Sequence, residues 1–126
     1  MTLIFGLLKA VVSILLAIIN ILGIQFNTTK VELYENPASG YKWEYSFDQS
    51  GIITLNETHY TPDTDSILSG KGGGTRYFTF RALDSGNVRV TFEYVKYTDN
   101  QRIVASDYIY TYIVDDFGGI TLQSIE

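Results

Sequence analysis

Polar and hydrophobic residues alternate with a period of two along most of the chain beyond residue 24. Such alternation places every second side chain on one face of an extended strand, so that one face can be buried and the other solvated. In residues 87–97, for example, Val88, Val90 and Phe92 fall on one face and Arg89 falls on the other. Strands are predicted at residues 22–26, 30–34, 42–47, 53–60, 76–83, 87–97 and 107–114.

About seven short strands separated by turn residues predict an all-β protein, built as an immunoglobulin-like β-sandwich. No helical periodicity recurs beyond residue 24, and no helical segments alternate with the strands as a parallel sheet would require. The chain has no cysteine, so the disulfide of antibody domains is missing and the likeness to them is one of architecture. The pattern gives no structural role to the last segment, residues 115–126.

In such a sandwich the turns after the second, fourth and sixth strands lie at one end. Here those turns are residues 36–40, 61–75 and 98–105. The middle turn has the sequence TPDTDSILSGKGGGT, which is long and rich in glycine. Long loops in compact domains are usually functional or disordered. A binding role and a flexible tether are therefore both open for this turn.

The first segment, residues 1–23, has a different character. Lys9 is its only charged residue, and the run that follows is apolar apart from Ser13 and Asn20. A weakly positive start followed by an apolar run of about 15 residues is typical of a secretory signal peptide. The run is shorter than the roughly 20 apolar residues that a membrane-spanning helix needs. The segment is therefore predicted to be a targeting segment rather than part of the fold.

The cleavage point of this leader is poorly marked, because Gly23 is small but the residue two positions earlier is bulky. An uncleaved signal anchor is therefore an alternative. Sequons at Asn27 and Asn56 are compatible with secretory passage. We predict a signal peptide or anchor over residues 1–23 and one domain over residues 24–126. The protein is expected to be secreted or in the lumen of the endomembrane or lysosomal system, and on a membrane only if the leader is uncleaved.

Charge and composition exclude several classes of partner and of functional site. The chain of 126 residues has 9 Lys and Arg against 14 Asp and Glu, and its net charge of −5 argues against a nucleic-acid partner. A zinc site or a catalytic triad would have to be built on His59, the only histidine. Asp63 and Asp65 are near it in sequence, but no convincing nucleophile accompanies them. We predict no catalytic residue, no metal and no cofactor, and hence a protein that is not an enzyme.

Residues 36–43 read NPASGYKW. This octapeptide resembles the N-P-T-T-G-[FY]-x-W signature of the chagasin-like cysteine peptidase inhibitors. The matching residues are Asn36, Pro37, Gly40, Tyr41 and Trp43, while Ala38 and Ser39 replace the two threonines by other small residues. Proline fixes φ, glycine permits positive φ, and asparagine can cap a turn, so the segment is expected to be stiff before binding. Trp43 is expected to anchor its strand in the core.

The resemblance extends to two further motifs over residues 23–114. The family's G-x-G-G element is similar to Gly70, Lys71, Gly72 and Gly73, which an extra Gly74 follows. Its third element, R-P-W, is not intact, because Lys96 and Tyr97 stand in the matching place and the proline is absent. Lysine lacks the planar fork of arginine, so this element departs most from the family pattern.

The resemblance implies a reversible, non-covalent inhibitor of papain-like cysteine peptidases of the cathepsin L-like kind. Three loops at one end of the sandwich would block the active-site cleft, and the protein would act as a monomer. The implied peptidase-binding residues are Asn36, Pro37, Ala38, Ser39, Gly40, Tyr41, Gly70, Lys71, Gly72, Gly73, Gly74, Lys96 and Tyr97. The alternative is an adhesion or interaction module, anchored or secreted, that binds through its sheets and uses residues 36–43 only as a turn.

Overall fold

The structure is a computed structural model that describes residues 9–11, 13–14 and 24–126. Residues 9–11 and 13–14 are helical. No helix within the described ranges is long and apolar enough to cross a membrane. The predicted leader, residues 1–23, lies mostly outside the described residues and stays a prediction.

Within the described residues, eight antiparallel strands form two sheets, and the prediction of an all-β sandwich is confirmed. The strands are β1 (Ile24–Phe26), β2 (Thr28–Glu35), β3 (Lys42–Phe47), β4 (Ile53–Pro62), β5 (Gly74–Ala82), β6 (Gly86–Thr98), β7 (Gln101–Val114) and β8 (Gly119–Ile125). The five-stranded sheet has the order β1-β8-β7-β6-β3, and the three-stranded sheet has the order β2-β5-β4. Two short helical segments, a 3₁₀ turn at Pro37–Ser39 and a helix at Thr64–Ser69, lie in the connections.

Alternating side chains of the two sheets meet in one aromatic core. Val88, Val90 and Phe92 of β6 are fully buried, as the alternation predicts. Phe92 packs against Phe80 of β5 with ring centroids 6.0 Å apart. Tyr45 of β3 meets the same Phe80 edge-on at 5.6 Å, a preferred geometry for aromatic pairs. This core fixes the frame on which the connections are displayed.

The last segment, to which the pattern gave no role, forms β8 between β7 and β1. The turn into it is closed by the Asp115 carboxylate, which accepts hydrogen bonds from the backbone N–H of Phe117 at 2.8 Å and of Gly119 at 2.9 Å. Ile120 is buried in the core. Leu122, two residues further along, is 42% exposed, so the strand shows little of the alternation by which strands are predicted.

Two predicted turns differ from the structure. Residues 98–105 were predicted as a loop, but β6 continues to Thr98 and β7 begins at Gln101, so only residues 99–100 form the turn. This prediction was wrong because residues 98–105 extend the β6–β7 hairpin beyond β3, and the side chains of residues 101–105 are exposed, so no alternation of burial marks the strand there. The middle turn contains the helix Thr64–Ser69 although no helix was expected beyond residue 24. Six residues are too few for helical periodicity to show.

Candidate functional site

The connection between β2 and β3 is a rigid turn. Asn36 caps the 3₁₀ segment Pro37–Ser39, since its Oδ1 accepts a hydrogen bond of 3.1 Å from the Ala38 N–H. The Ser39 hydroxyl donates to the Asn36 carbonyl at 2.6 Å. Gly40 closes the turn with φ of 81°, a left-handed conformation that favours glycine. Asn36, Ser39 and Gly40 of the predicted motif thus each have a local role in closing the turn.

Aromatic rings support this turn from below. The Asn36 N–H donates to the Tyr94 hydroxyl at 2.9 Å, and the Tyr94 ring stacks on Tyr41 at 5.3 Å and on Trp43 at 4.8 Å. The Trp43 indole N–H donates to the Tyr34 carbonyl at 2.7 Å. Trp43 is half-buried and packs against the core, as expected. The turn therefore stands on a ring stack that joins β2, β3 and β6.

The glycine-rich connection before β5 lies directly beside this turn. The Asn36 side-chain amide donates to the Lys71 carbonyl at 3.4 Å while its oxygen caps the turn. Gly70, Gly72 and Gly73 all have positive φ. A Cβ on Gly72 would lie 2.6 Å from the Asn36 Oδ1, so only glycine permits this approach. The structure thus brings together the first two predicted motifs, which are 35 residues apart at this hydrogen bond.

The last two glycines of this connection are buried. A Cβ on Gly73 would lie 2.7 Å from the Tyr34 hydroxyl, and one on Gly74 would lie 2.2 Å from the Thr61 carbonyl oxygen. Gly74 pairs with Glu35 of β2 and with Pro62 of β4. Of the predicted glycines, these two hold the base of the connection rather than its surface.

The helix Thr64–Ser69 adds two residues that the sequence interpretation did not single out. Ile67 and Leu68, which lie in the same connection, are 65% and 82% exposed. Its base is closed by a hydrogen bond of 3.1 Å from the Asp63 N–H to the Gly73 carbonyl. An Ile-Leu pair in an otherwise polar loop is the signal that could have identified them.

Lys96 and Tyr97 project to different sides of β6. The Lys96 ammonium lies 5.6 Å from the centre of the Tyr41 ring, and a Cβ on Gly40 would be 3.2 Å from its Cε. Lys96 therefore packs against the β2–β3 turn. Tyr97 instead donates its hydroxyl to Glu44 at 2.7 Å, on the outer side of the five-stranded sheet.

A charged cluster surrounds the Tyr97 hydroxyl. Arg102 donates from Nη2 to Glu44 at 2.9 Å and to Glu93 at 3.1 Å, and its Nε lies 3.3 Å from the Tyr97 oxygen. The hydrogen bond from Tyr97, and next those from Arg102, hold the pKa of Glu44 below its usual value. Hydrogen bonds to Glu93, and next those to Glu44 and Tyr97, raise the pKa of Arg102 above its ordinary value.

A pH dependence follows from Glu44. Because its pKa is lowered in the folded state, it contributes stability above its unfolded pKa of about 4.3, and this contribution is lost as the pH falls through the lower folded value. We expect Glu44→Gln to be less stable than the wild type at pH 7, with a difference that shrinks below about pH 4. Urea unfolding at pH 7, 5 and 3 measures the difference in the free energy of unfolding between the two proteins. A difference that grows towards acid pH would contradict the lowered pKa of Glu44.

Beneath the two joined connections lies a buried ion pair. The Glu35 side chain is 4% exposed, and its Oε2 accepts from Arg76 at 2.8 Å and 3.2 Å. Its other oxygen lies 3.4 Å from the Trp43 N–H. This one carboxylate thus links β2, β3 and β5 just below the loops that these strands carry.

Glu35→Gln is expected to destabilise the fold by about 2 kcal/mol. The amide cannot compensate the Arg76 charge, and breaking a fully buried pair costs about 3–5 kcal/mol. The cost is lower here because the Arg76 side chain is 26% exposed. Chemical denaturation measures the change, and Glu32→Gln, at an exposed position of the same strand, is the control that should stay within about 0.5 kcal/mol of the wild type. Equal effects of the two substitutions would contradict the role of the pair.

No group of three or more His, Cys, Asp or Glu side chains within the described residues could hold a metal ion. His59 stacks on Tyr77 of the neighbouring strand at 4.5 Å, and its Nδ1 lies 3.7 Å from Glu57. Its surroundings are those of an ordinary residue on a sheet surface.

The family is decided by the sequence match. The model of the chagasin family, described as Chagasin family peptidase inhibitor I42, matches residues 25–114. The chain belongs to the chagasin family. It is therefore an inhibitor of cysteine peptidases and not an enzyme. Strand β8 lies beyond the matched residues of this chagasin-family chain.

A solved structure supports the same fold. The cysteine protease inhibitor EhICP2 from Entamoeba histolytica is similar to this chagasin-family chain with a TM-score of 0.60 and 18% identity, over 71% of this chain and 81% of that one. At this identity the likeness concerns the fold alone. A search of curated protein sequences found no match.

Proposed function

We propose that this chagasin-family protein inhibits papain-like, cathepsin L-like peptidases reversibly and non-covalently, by inserting one end of the sandwich into the active-site cleft. The observation that carries the proposal is the Asn36 side chain, which caps the β2–β3 turn and bonds to the Lys71 carbonyl at the same time. One residue thus fixes two loops as a single rigid projection. A rigid projection is suited to fill a groove in another protein.

The β2–β3 turn would occupy the centre of the cleft. Ala38 is exposed at its tip, and the surrounding hydrogen bonds hold Pro37–Ser39 in a 3₁₀ turn. A turn of this kind does not offer the extended backbone of a peptide substrate, so the peptidase would hold it without cutting it. Because the turn is formed before binding, little conformational entropy remains to be lost on docking.

The flanking contacts would come from the two other predicted elements. Gly70, Lys71 and Gly72 would lie against one wall of the cleft, together with the exposed Ile67 and Leu68. Buried Gly73 and Gly74 would support this connection, and Lys96 would support the β2–β3 turn. Tyr97, which is 54% exposed, would reach the other wall.

Titration of the purified chain against papain and a cathepsin L-like peptidase tests the proposal. We expect tight inhibition with full recovery of peptidase activity on dilution, and an intact inhibitor by mass spectrometry. Trypsin, which has no catalytic cysteine, is the control and should keep its activity. Full papain and cathepsin L-like activity at micromolar inhibitor would overturn the proposal.

We also propose that the protein works outside the cytoplasm, secreted or in an endomembrane or lysosomal lumen, and as a monomer. The apolar run before residue 24 supports the location. N-terminal sequencing of the protein purified from its own cells distinguishes a leader cleaved near Gly23 from an uncleaved anchor. Light scattering measures the mass, which for the whole chain is 14.2 kDa per monomer.

A further inference from the structure

The β6–β7 hairpin extends beyond the strand that should support it. β3 pairs with β6 only as far as Lys42 opposite Val95, whereas β6 and β7 continue to pair until Thr98 opposite Gln101. Tyr97 lies in this extension, opposite Arg102. The hairpin also has no proline to stiffen it. Its tip therefore needs another source of rigidity if it is to keep one conformation.

Three side chains fix the orientation of Tyr97. Its hydroxyl donates to the Glu44 carboxylate at 2.7 Å and accepts from Arg102 Nε at 3.3 Å. The Lys42 ammonium lies 5.5 Å from the ring centre. The polar end of the side chain is thus held by β3 and β7, while the residue remains 54% exposed. An aromatic ring that is both exposed and fixed is the kind of group that anchors protein interfaces.

Arg102 is the centre of this arrangement. Its guanidinium bonds to Glu44 on β3 and to Glu93 on β6, and it lies on β7 itself. The arginine thereby ties the hairpin to the neighbouring strand across the sheet surface. Single exposed ion pairs contribute little to stability, so a network here is better explained by the geometry that it imposes.

We propose that Arg102, acting through Glu44, is a positioning residue that holds the Tyr97 ring in the orientation needed to contact the peptidase. This inference rests on the proposed function. It assigns to the hairpin a cross-strand network that stiffens a tip without proline. Arg102 itself need not touch the peptidase.

Inhibition kinetics of a small set of variants test the inference. Arg102→Met and Glu44→Gln are each expected to weaken inhibition about tenfold, mainly through faster dissociation, since a preformed contact acts chiefly on the lifetime of the complex. Arg102→Lys keeps the charge but loses the fork, and is expected to restore only part of the affinity. Arg89→Met removes an arginine paired with Glu126 elsewhere on the sheet and should inhibit like the wild type.

Measuring Arg102→Met in a chain that also carries Tyr97→Ala distinguishes positioning of the Tyr97 ring from general stabilisation of the fold. If Arg102 acts through the Tyr97 ring, Arg102→Met should cost about tenfold in the wild type and nothing further in Tyr97→Ala. An equal cost in both backgrounds, or no cost in the wild type, overturns the inference while inhibition by the wild type still supports the proposed function. A wild-type chain that does not inhibit overturns both.

Discussion

Replacing Ala38 by arginine is expected to weaken inhibition of a papain-like peptidase by about 100-fold or more, with the fold unchanged. Ala38 is exposed at the tip of the β2–β3 turn, and only its backbone N–H takes part in the turn's hydrogen bonds. A long charged side chain would therefore leave the turn intact. It would block entry of the turn into a narrow cleft by bulk and by the cost of burying the charge.

Ala38 is a better probe of the cleft contact than its neighbour. The Ser39 hydroxyl donates to the Asn36 carbonyl and accepts from the Tyr41 N–H at 3.2 Å, so a substitution there would also disturb the turn. Ser50→Arg, at an exposed position in the turn between β3 and β4 at the opposite end, is the matched control. It adds the same side chain and should inhibit like the wild type.

The same pair of variants tests the alternative of an adhesion module. Binding through the sheets would survive Ala38→Arg, because the substitution is confined to a loop. Unchanged inhibition by Ala38→Arg, measured with circular dichroism to confirm the fold, would show that the turn does not enter the cleft.

Much of the fold could be predicted from the sequence because burial alternates in the central strands. The pattern of Val88, Val90 and Phe92 follows directly from one face packing in the core. The alternation of burial fails where both faces of a strand are exposed or only its first residues are buried. The start of β7 at Gln101 and the strand β8 around Ile120 are of this kind. There the partner strands decide the structure, and a single sequence does not show them.

The candidate site was predictable in its residues and less so in their roles. The first two motifs indicated two connections. The hydrogen bond from Asn36 to Lys71 could not be predicted, because it requires two segments 35 residues apart to lie side by side in the fold. A row of glycines also looks alike whether it is exposed or buried. The close approach of the Thr61 carbonyl identifies Gly74 as a packing residue. The atoms around a glycine, rather than the motif itself, show whether the glycine is exposed for binding or buried for packing.

Gly74→Ala is therefore expected to destabilise the protein strongly, by about 3 kcal/mol or more. The added Cβ would lie 2.2 Å from the Thr61 carbonyl oxygen and 2.7 Å from the Pro62 Cα, both backbone atoms that cannot rotate away. Relief requires β4 and β5 to separate where Gly74 pairs with Pro62. Overpacking of a well-packed site costs about 1–3 kcal/mol, and contact with two backbone atoms of β4 belongs at or beyond the upper end of that range.

Gly51→Ala is the control for this substitution. Gly51 has φ of 83° but no atom within 4 Å of an added Cβ, so its replacement should cost only the backbone strain of about 1 kcal/mol. Chemical denaturation compares the two variants. Gly74→Ala should also weaken inhibition under conditions where it is still folded, since the displaced strand ends carry the loop that bonds to Asn36. If Gly74→Ala were as stable as Gly51→Ala while inhibition was lost, Gly74 would act by contacting the peptidase instead of by closing the strand pair.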